Sequence, residues 1–222
     1  MSPGIATDVF EGEGYQLRLM RAWEDSQWPN LEDIGGLVIL GGEMNAYELD
    51  AYPFLRKVRE FAHDAVERGM PTLGICLGAQ ILAIELGGTV RRSPRVELGF
   101  GALDPTEEGR RDHVLSGFAE GVEVFQWHED TFDLPPETTL LLSGGGFHQA
   151  FRYGRTCYGT QFHFEVTEQD VVAWLDVTDT DRLEGHWGRS RDELLEEVRA
   201  KLPAQQEVGR DTFARFASLL AS

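Results

Sequence analysis

Between Gly35 and Gly88 the sequence passes twice from a short apolar run into a helical period, and few folds accommodate that order. Gly35-Gly36-Leu37-Val38-Ile39-Leu40-Gly41-Gly42 reads as a buried strand that ends in a tight loop. From Pro53 to Gly69, apolar Phe54, Leu55, Val58, Phe61, Ala62, Ala65 and Val66 recur at helical spacing, with Gly69 as the stop. Met70-Pro71-Thr72-Leu73-Gly74-Ile75-Cys76 returns as a strand, and Leu77 to Leu86 as a helix closed by Gly87-Gly88. Strand, helix, strand, helix with short connections implies right-handed βαβ units and a sheet covered on both faces. The expected fold class is α/β, a three-layer sandwich around a mainly parallel central sheet.

The middle of the chain has a different texture. Val96 to Phe100, Val122 to Trp127, Leu140 to Leu142, Ala150 to Tyr153 and Tyr158 to Phe162 are short strand candidates separated by Gly, Pro and Asp turns. They predict added antiparallel strands. After Thr167 the pattern turns helical, with apolar faces in Val171 to Leu175, Leu194 to Leu202 and Phe213 to Leu220. There is no internal repeat and no low-complexity tract.

Composition narrows the function classes. With 20 Lys+Arg against 38 Asp+Glu, the net charge is −18, which argues against binding nucleic acid or an anionic membrane surface, since both need basic patches. A hydrophobic fraction of 41% over 222 residues is enough for a sizeable core, and a single domain is expected over 1–222. Two cysteines, Cys76 and Cys157, are too few for a disulfide framework and fit a reducing compartment. The first residues carry no basic segment followed by an apolar run, and no stretch approaches the ~18 apolar residues of a membrane helix. The expectation is a soluble, cytoplasmic protein.

The chemistry concentrates in two segments. Gly74-Ile75-Cys76-Leu77-Gly78-Ala79-Gln80 sits at the change from strand to helix, where small flanking residues permit a strained elbow that lifts a nucleophile above the sheet. The Cys76 sulfur would also face a helix N-terminus, whose partial positive charge favours the thiolate. A buried packing cysteine is the plainer reading of that segment alone. In Gln161-Phe162-His163-Phe164-Glu165-Val166, His163 and Glu165 stand two apart at the end of a strand candidate, so both side chains point the same way. His163 can then serve as base while Glu165 fixes its tautomer, the logic of a triad with Cys76.

Other residues read more plainly. His63, His113, His148 and His186 are scattered and no Cys/His pair has zinc-finger spacing, so no metal site and no cofactor are expected; His128, whose carboxylate neighbour would also suit a metal or acid-base role, reads as structural or substrate-lining. Ser143-Gly144-Gly145-Gly146-Phe147 lacks the phosphate-loop pattern and reads as a turn. Cys157 reads as an apolar filler, and Trp174 and Trp187 as packing or cover.

The elbow, followed eighty-seven residues later by Gln-Phe-His-Phe-Glu-Val, resembles the class I (triad) glutamine amidotransferases. Gly41-Gly42-Glu43-Met44 looks like that family's oxyanion loop, and Phe125 to Pro135 looks like its stand-alone, GMP-synthase-like branch. The resemblance implies a flavodoxin-like fold, Cys76, His163 and Glu165 as catalytic residues, and backbone N–H groups near Gly42 and Leu77 as oxyanion donors. It implies Gln80, Glu129 and Asp130 as contacts to the amino-acid end of glutamine. Phe164 stands where the family's motif usually has proline. The family's opening central strand has no counterpart in this pattern, with Val9 and Phe10 expected in the first helix and Tyr15 to Met20 in the next strand; a C-terminal helical extension covers about 168–222. The expected activity is glutamine hydrolysis through a γ-glutamyl thioester, with ammonia passed to an acceptor on a separate partner, such as a synthetase. Alternatives are a hydrolase of γ-glutamyl peptides or conjugates using the same triad, and a non-catalytic regulatory domain.

Overall fold

The computed structural model describes residues 1–24, 27–118 and 121–220. In chain order the elements are α1 (Ala6–Gly12), β1 (Leu37–Ile39), α2 (Phe54–Glu67), β2 (Thr72–Ile75), α3 (Leu77–Glu85), β3 (Thr89–Ala102), β4 (Asp104–Pro105) and α4 (Glu107–Arg111). They continue with β5 (Glu123–Asp133), β6 (Thr138–Gly144), β7 (Phe147–Tyr153), β8 (Cys157–Thr160), α5 (Glu168–Val177) and α6 (Arg191–Ala217), with a π-helical turn at Asp181–His186 before α6. Ala221 and Ser222, the end of the expected C-terminal extension, lie outside the described residues.

The sheet order is β1-β2-β8-β7-β6-β4. β1, β2 and β8 pair in parallel, whereas β8–β7, β7–β6 and β6–β4 are antiparallel, so four of the six strands run in one direction. This is the expected mainly parallel sheet with antiparallel strands added at one side. The long strands β3 and β5 form a separate antiparallel ribbon whose register shifts between Arg92 and Glu97.

Apolar side chains close both faces of the sheet. Ile75, Tyr158, Phe162 and Phe164 pack with Phe10 of α1 and Phe213 and Phe216 of α6. On the other face Ile39, Leu55, Ala62, Ile81, Leu82 and Phe151 join α2 and α3 to the sheet. A third cluster sets Phe125 of the ribbon against Val171, Leu194, Val198 and Leu202, which fixes α5 and α6 over β5.

Two expectations need correction. The apolar face at Leu194 to Leu202 and that from Phe213 as far as Ala217 belong to one helix, α6, which runs through Pro203, and 218–220 follow it as a turn. Proline removes one helical hydrogen bond, but a continuous buried stripe of Leu194, Val198, Leu202, Gln205, Phe213 and Phe216 holds the helix together. Tyr15 to Met20 is not a strand. Leu37 donates its N–H to Pro71 and the β1 register faces β2, so the backbone of Val38 points to the opposite edge, where no strand is paired among the described residues. Tyr15 to Met20 lines the same cavity as β1 and lacks the ladder partner a strand requires. Val9 and Phe10 do lie in α1, as expected. No described helix is long and apolar enough to cross a membrane.

Candidate active site

β2 is buried at every position and delivers Cys76 to the start of α3. There the backbone of Cys76 takes φ 52° and ψ −106°, a region that costs a non-glycine residue roughly 1–3 kcal/mol. The surroundings enforce it. Cys76 donates its N–H to Thr160 at 2.7 Å, continuing the β8 side of the sheet, and accepts from the Gln80 N–H at 3.0 Å, opening the helix. Strand and helix approach so closely that a Cβ at Gly74 would lie 2.5 Å from the Gly78 carbonyl, and one at Gly78 would collide with the Ile39 carbonyl oxygen. The flanking glycines therefore permit the turn, and the turn presents the sulfur to a cavity of about 1500 Å³.

His163 reaches the same cavity from the far end of β8. Along the extended run 161–165, Phe162 and Phe164 enter the core while Gln161, His163 and Glu165 point to the other side. His163 Nδ1 lies 2.7 Å from Glu165 Oε1, and both side chains are at most 2% exposed. The imidazole also faces the Cys76 side chain, close enough to interact with its sulfur. Burial alone would favour the neutral ring, but the Glu165 carboxylate and the Cys76 sulfur outweigh it and raise the His163 pKa above the ordinary value. The surroundings therefore favour the charged form of the His163 ring.

Backbone supports hold this segment. His163 donates its N–H to Phe125 at 2.8 Å, and Gln205 of α6 donates to the His163 carbonyl at 3.0 Å while accepting from the Phe125 N–H. Ile5 donates its N–H to the Glu165 carbonyl at 2.8 Å, so the N-terminal residues brace the acid. The Trp174 ring of α5 packs against the His163 ring with centroids 5.0 Å apart.

Gly41 and Gly42 follow β1 into the cavity wall. A Cβ at Gly41 would stand 2.8 Å from His163 Cε1, and one at Gly42 would stand 2.7 Å from Leu77 Cδ2, so backbone lies where a larger residue would block the dyad. Gly42 and Leu77 both line the cavity beside Cys76.

The opposite wall is the ribbon. Asp130 of β5 is 4% exposed, and both its carboxylate oxygens are buried without a hydrogen-bond partner of ordinary geometry among the described residues. Burial raises its pKa, and the Tyr47 hydroxyl and the Arg92 guanidinium offset only part of that effect. Gln80 Nε2 donates to the Asp130 carbonyl at 3.2 Å, tying α3 to the ribbon. Glu129 is engaged elsewhere: its carboxylate accepts from Trp187 Nε1 and Arg182 at 2.7 Å each and pairs with Arg92 at 2.9 Å. Burial would raise the Glu129 pKa, but these donors hold it below the ordinary range. Glu129 thus fastens the π-helical turn and Trp187 over the ribbon.

Gln161, Gln205 and Trp174 were not singled out by sequence pattern as parts of the site. Gln161 was legible in principle, because it shares the i, i+2 face of His163 and Glu165. Gln205 is a polar interruption of an apolar helical stripe, a weaker signal. His128, also buried, donates from Nδ1 to the Asp130 carbonyl at 2.9 Å, and its Nε2 lies 3.1 Å from Glu97, which supports the ribbon. Among the described residues no group of three or more potential metal ligands converges.

The family described as glutamine amidotransferase class-I matches residues 10–171. The glutamine amidotransferase-like protein YfeJ of Salmonella typhimurium is 31% identical over 175 residues, covering 77% of this chain and 73% of that protein. The glutamine-hydrolyzing GMP synthase of Thermosipho africanus is 29% identical over 197 residues, covering 84% of this chain but 36% of its own length. The chain thus spans about a third of that synthase. A glutamine amidotransferase of Thermotoga maritima superposes with a TM-score of 0.87 at 30% identity, covering 96% of this chain and 92% of the other. One from Methylobacillus flagellatus gives 0.88 at 26%, covering 98% and 90%.

Proposed function

The chain belongs to the class-I glutamine amidotransferase family, and on that premise we propose that it hydrolyses the side-chain amide of glutamine with Cys76 as nucleophile. The observation that carries this reading is the contact of the Cys76 sulfur, held in a strained elbow, with an imidazole that Glu165 orients at 2.7 Å. In this mechanism the Cys76 thiolate attacks the amide carbon, and its electron pair forms the C–S bond while the carbonyl oxygen takes negative charge. The backbone N–H groups of Gly42 and Leu77 receive that oxyanion, where each preorganised donor is worth roughly 3–4 kcal/mol. His163 gives its proton to the departing nitrogen, and ammonia leaves. It then takes a proton from water, which attacks the thioester and releases glutamate.

At the amino-acid end, Asp130 pairs with the α-ammonium group, a closer donor for a buried carboxylate that makes no hydrogen bond of ordinary geometry among the described residues. Gln80 holds the Asp130 backbone in place, and Glu129 acts on the same wall by fastening Trp187 and Arg182 beside it. The ammonia passes to an acceptor on a separate partner. A relative from Saccharolobus solfataricus, named as one subunit of a glutamine-hydrolyzing GMP synthase and 37% identical over 110 residues, supports that reading.

One observation favours a second reading. The cavity of about 1500 Å³ exceeds the roughly 300–1,000 Å³ typical of small-molecule sites, which leaves room for a larger leaving amine. A γ-glutamyl peptide or conjugate would be cleaved by the same steps. Ammonia release from glutamine measured beside turnover of a γ-glutamyl dipeptide separates the two; dipeptide cleavage without glutaminase activity overturns the first. Labelling by a glutamine-analogue electrophile, read by peptide mass spectrometry, is expected at Cys76 alone, because burial pushes the Cys157 thiol up to about 12. Labelling at Cys157, or none, counts against the mechanism. Asp130→Asn is expected to raise KM by about tenfold or more with a smaller change in kcat, as loss of a charged contact to the ground state should.

A further inference from the structure

The Cys76 sulfur faces a second polar side chain besides His163. Gln161 is fully buried, and its Nε2 donates to Cys76 Sγ at 3.7 Å, a normal reach for sulfur. Its Oε1 accepts from Gln80 Nε2 at 3.3 Å, and the same Gln80 amide donates to the Asp130 carbonyl at 3.2 Å. Its own backbone N–H donates to Gln149 at 2.8 Å.

This chain of contacts removes the usual ambiguity of an amide. Were the Gln161 amide reversed, its oxygen would face sulfur lone pairs and its NH2 would face the NH2 of Gln80, two repulsions in a buried place. Gln80 in turn is held by a carbonyl, which only accepts. The donor is therefore aimed at sulfur by two covalently distant elements, α3 and β5. A hydrogen bond to a charged acceptor is about twice as strong as one between neutral groups, so this donor favours the thiolate over the thiol. It also occupies one direction around the sulfur, the Trp127 carbonyl at 3.9 Å takes another, and the remainder is left to His163 and the cavity.

We propose that Gln161 is a positioning residue for the nucleophile: its amide donates to Cys76 Sγ and sets the sulfur between His163 and the substrate, and Gln80 locks that amide in the donating orientation. The proposal rests on the assignment of Cys76 as nucleophile, and it adds a requirement that the triad alone does not contain. It also links the two walls of the cavity, since Gln80 touches both Gln161 and the backbone of Asp130.

The test is the pH dependence of Cys76 alkylation by iodoacetamide, followed by mass spectrometry of the Cys76 peptide, in the wild type, Gln161→Leu, Gln161→Glu and Gln80→Leu. Loss of the donor is expected to move the midpoint of the rate profile upward by about one pH unit, with roughly tenfold slower alkylation below the midpoint. Gln161→Glu, nearly isosteric but anionic, should move it further, and Gln80→Leu less, because the Gln161 amide is then free to turn. Gln161→Leu should lower kcat while KM stays within about twofold, as Gln161 acts through sulfur. A merely structural role would lower the melting temperature and leave the midpoint in place. Should Gln161→Leu not fold, the Gln161→Glu profile decides. A folded variant of Gln161 with the wild-type midpoint overturns the proposal. Because iodoacetamide reports on the sulfur alone, a shifted midpoint in an enzyme that releases no ammonia from glutamine would sink the glutaminase reading and keep this one.

Discussion

At Cys76 the backbone accepts strain so that the side chain can be placed. The turn costs roughly 1–3 kcal/mol at φ 52°, and the hydrogen bonds to Thr160 and Gln80 on either side hold it. A similar opposition governs His163, whose burial disfavours charge while Glu165 and Cys76 restore it. The raised pKa has a definite sign in the activity profile. An imidazolium that survives above the ordinary histidine value of about 6.5 places the basic limb of kcat/KM well above that value. Glu165→Gln removes the largest interaction that raises it, so the basic limb should move down in pH and kcat should fall by about 10²-fold or more. A pH profile of ammonia release checks this, and an unmoved basic limb would show that Glu165 does not hold the proton on His163.

Among the elements, α6 does more than cover the sheet. It is the long C-terminal helix, and its Gln205 spans the Phe125 N–H of β5 and the His163 carbonyl, coupling ribbon, helix and dyad. Gln205 is 1% exposed, so Gln205→Leu leaves two buried backbone groups unpaired and should destabilise the protein by about 2–4 kcal/mol. The expected signature in urea is a lower midpoint with an unchanged slope, together with reduced activity, since the His163 backbone loses its tether. β1 has the opposite character: its outer edge faces the cavity, and Val38 and Leu40 pack against one apolar layer while Leu37 and Ile39 pack against the other. Such a strand is built like an interior one.

Over the whole molecule, a net charge of −18 spread on 222 residues sets the long-range electrostatics. The exposed ion pairs, such as Arg191–Asp176 and Arg199–Glu168, are each worth less than about 1 kcal/mol, so screening of the net repulsion should prevail over screening of the pairs. Raising NaCl from low to physiological strength and above is expected to raise the melting temperature by about 2–4 °C, and a fall would show that the pairs dominate. The order of strands and helices from Gly35 to Gly88, the elbow at Cys76 and the shared face of His163 and Glu165 were legible in the sequence, because periodicity and i, i+2 geometry are local. The α/β class followed from that order. Tyr15 to Met20 misled, because its apolar pattern says what a strand could be and not whether a partner lies beside it. Asp130 beside Gln80, Gln205 beneath His163, Trp174 against its ring and Glu129 joined to Arg182 and Trp187 were decided by the tertiary structure alone. Those contacts depend on the register of the β3–β5 ribbon and on where α5 and α6 come to rest against it, and packing between segments far apart in the chain leaves no periodic mark in the sequence.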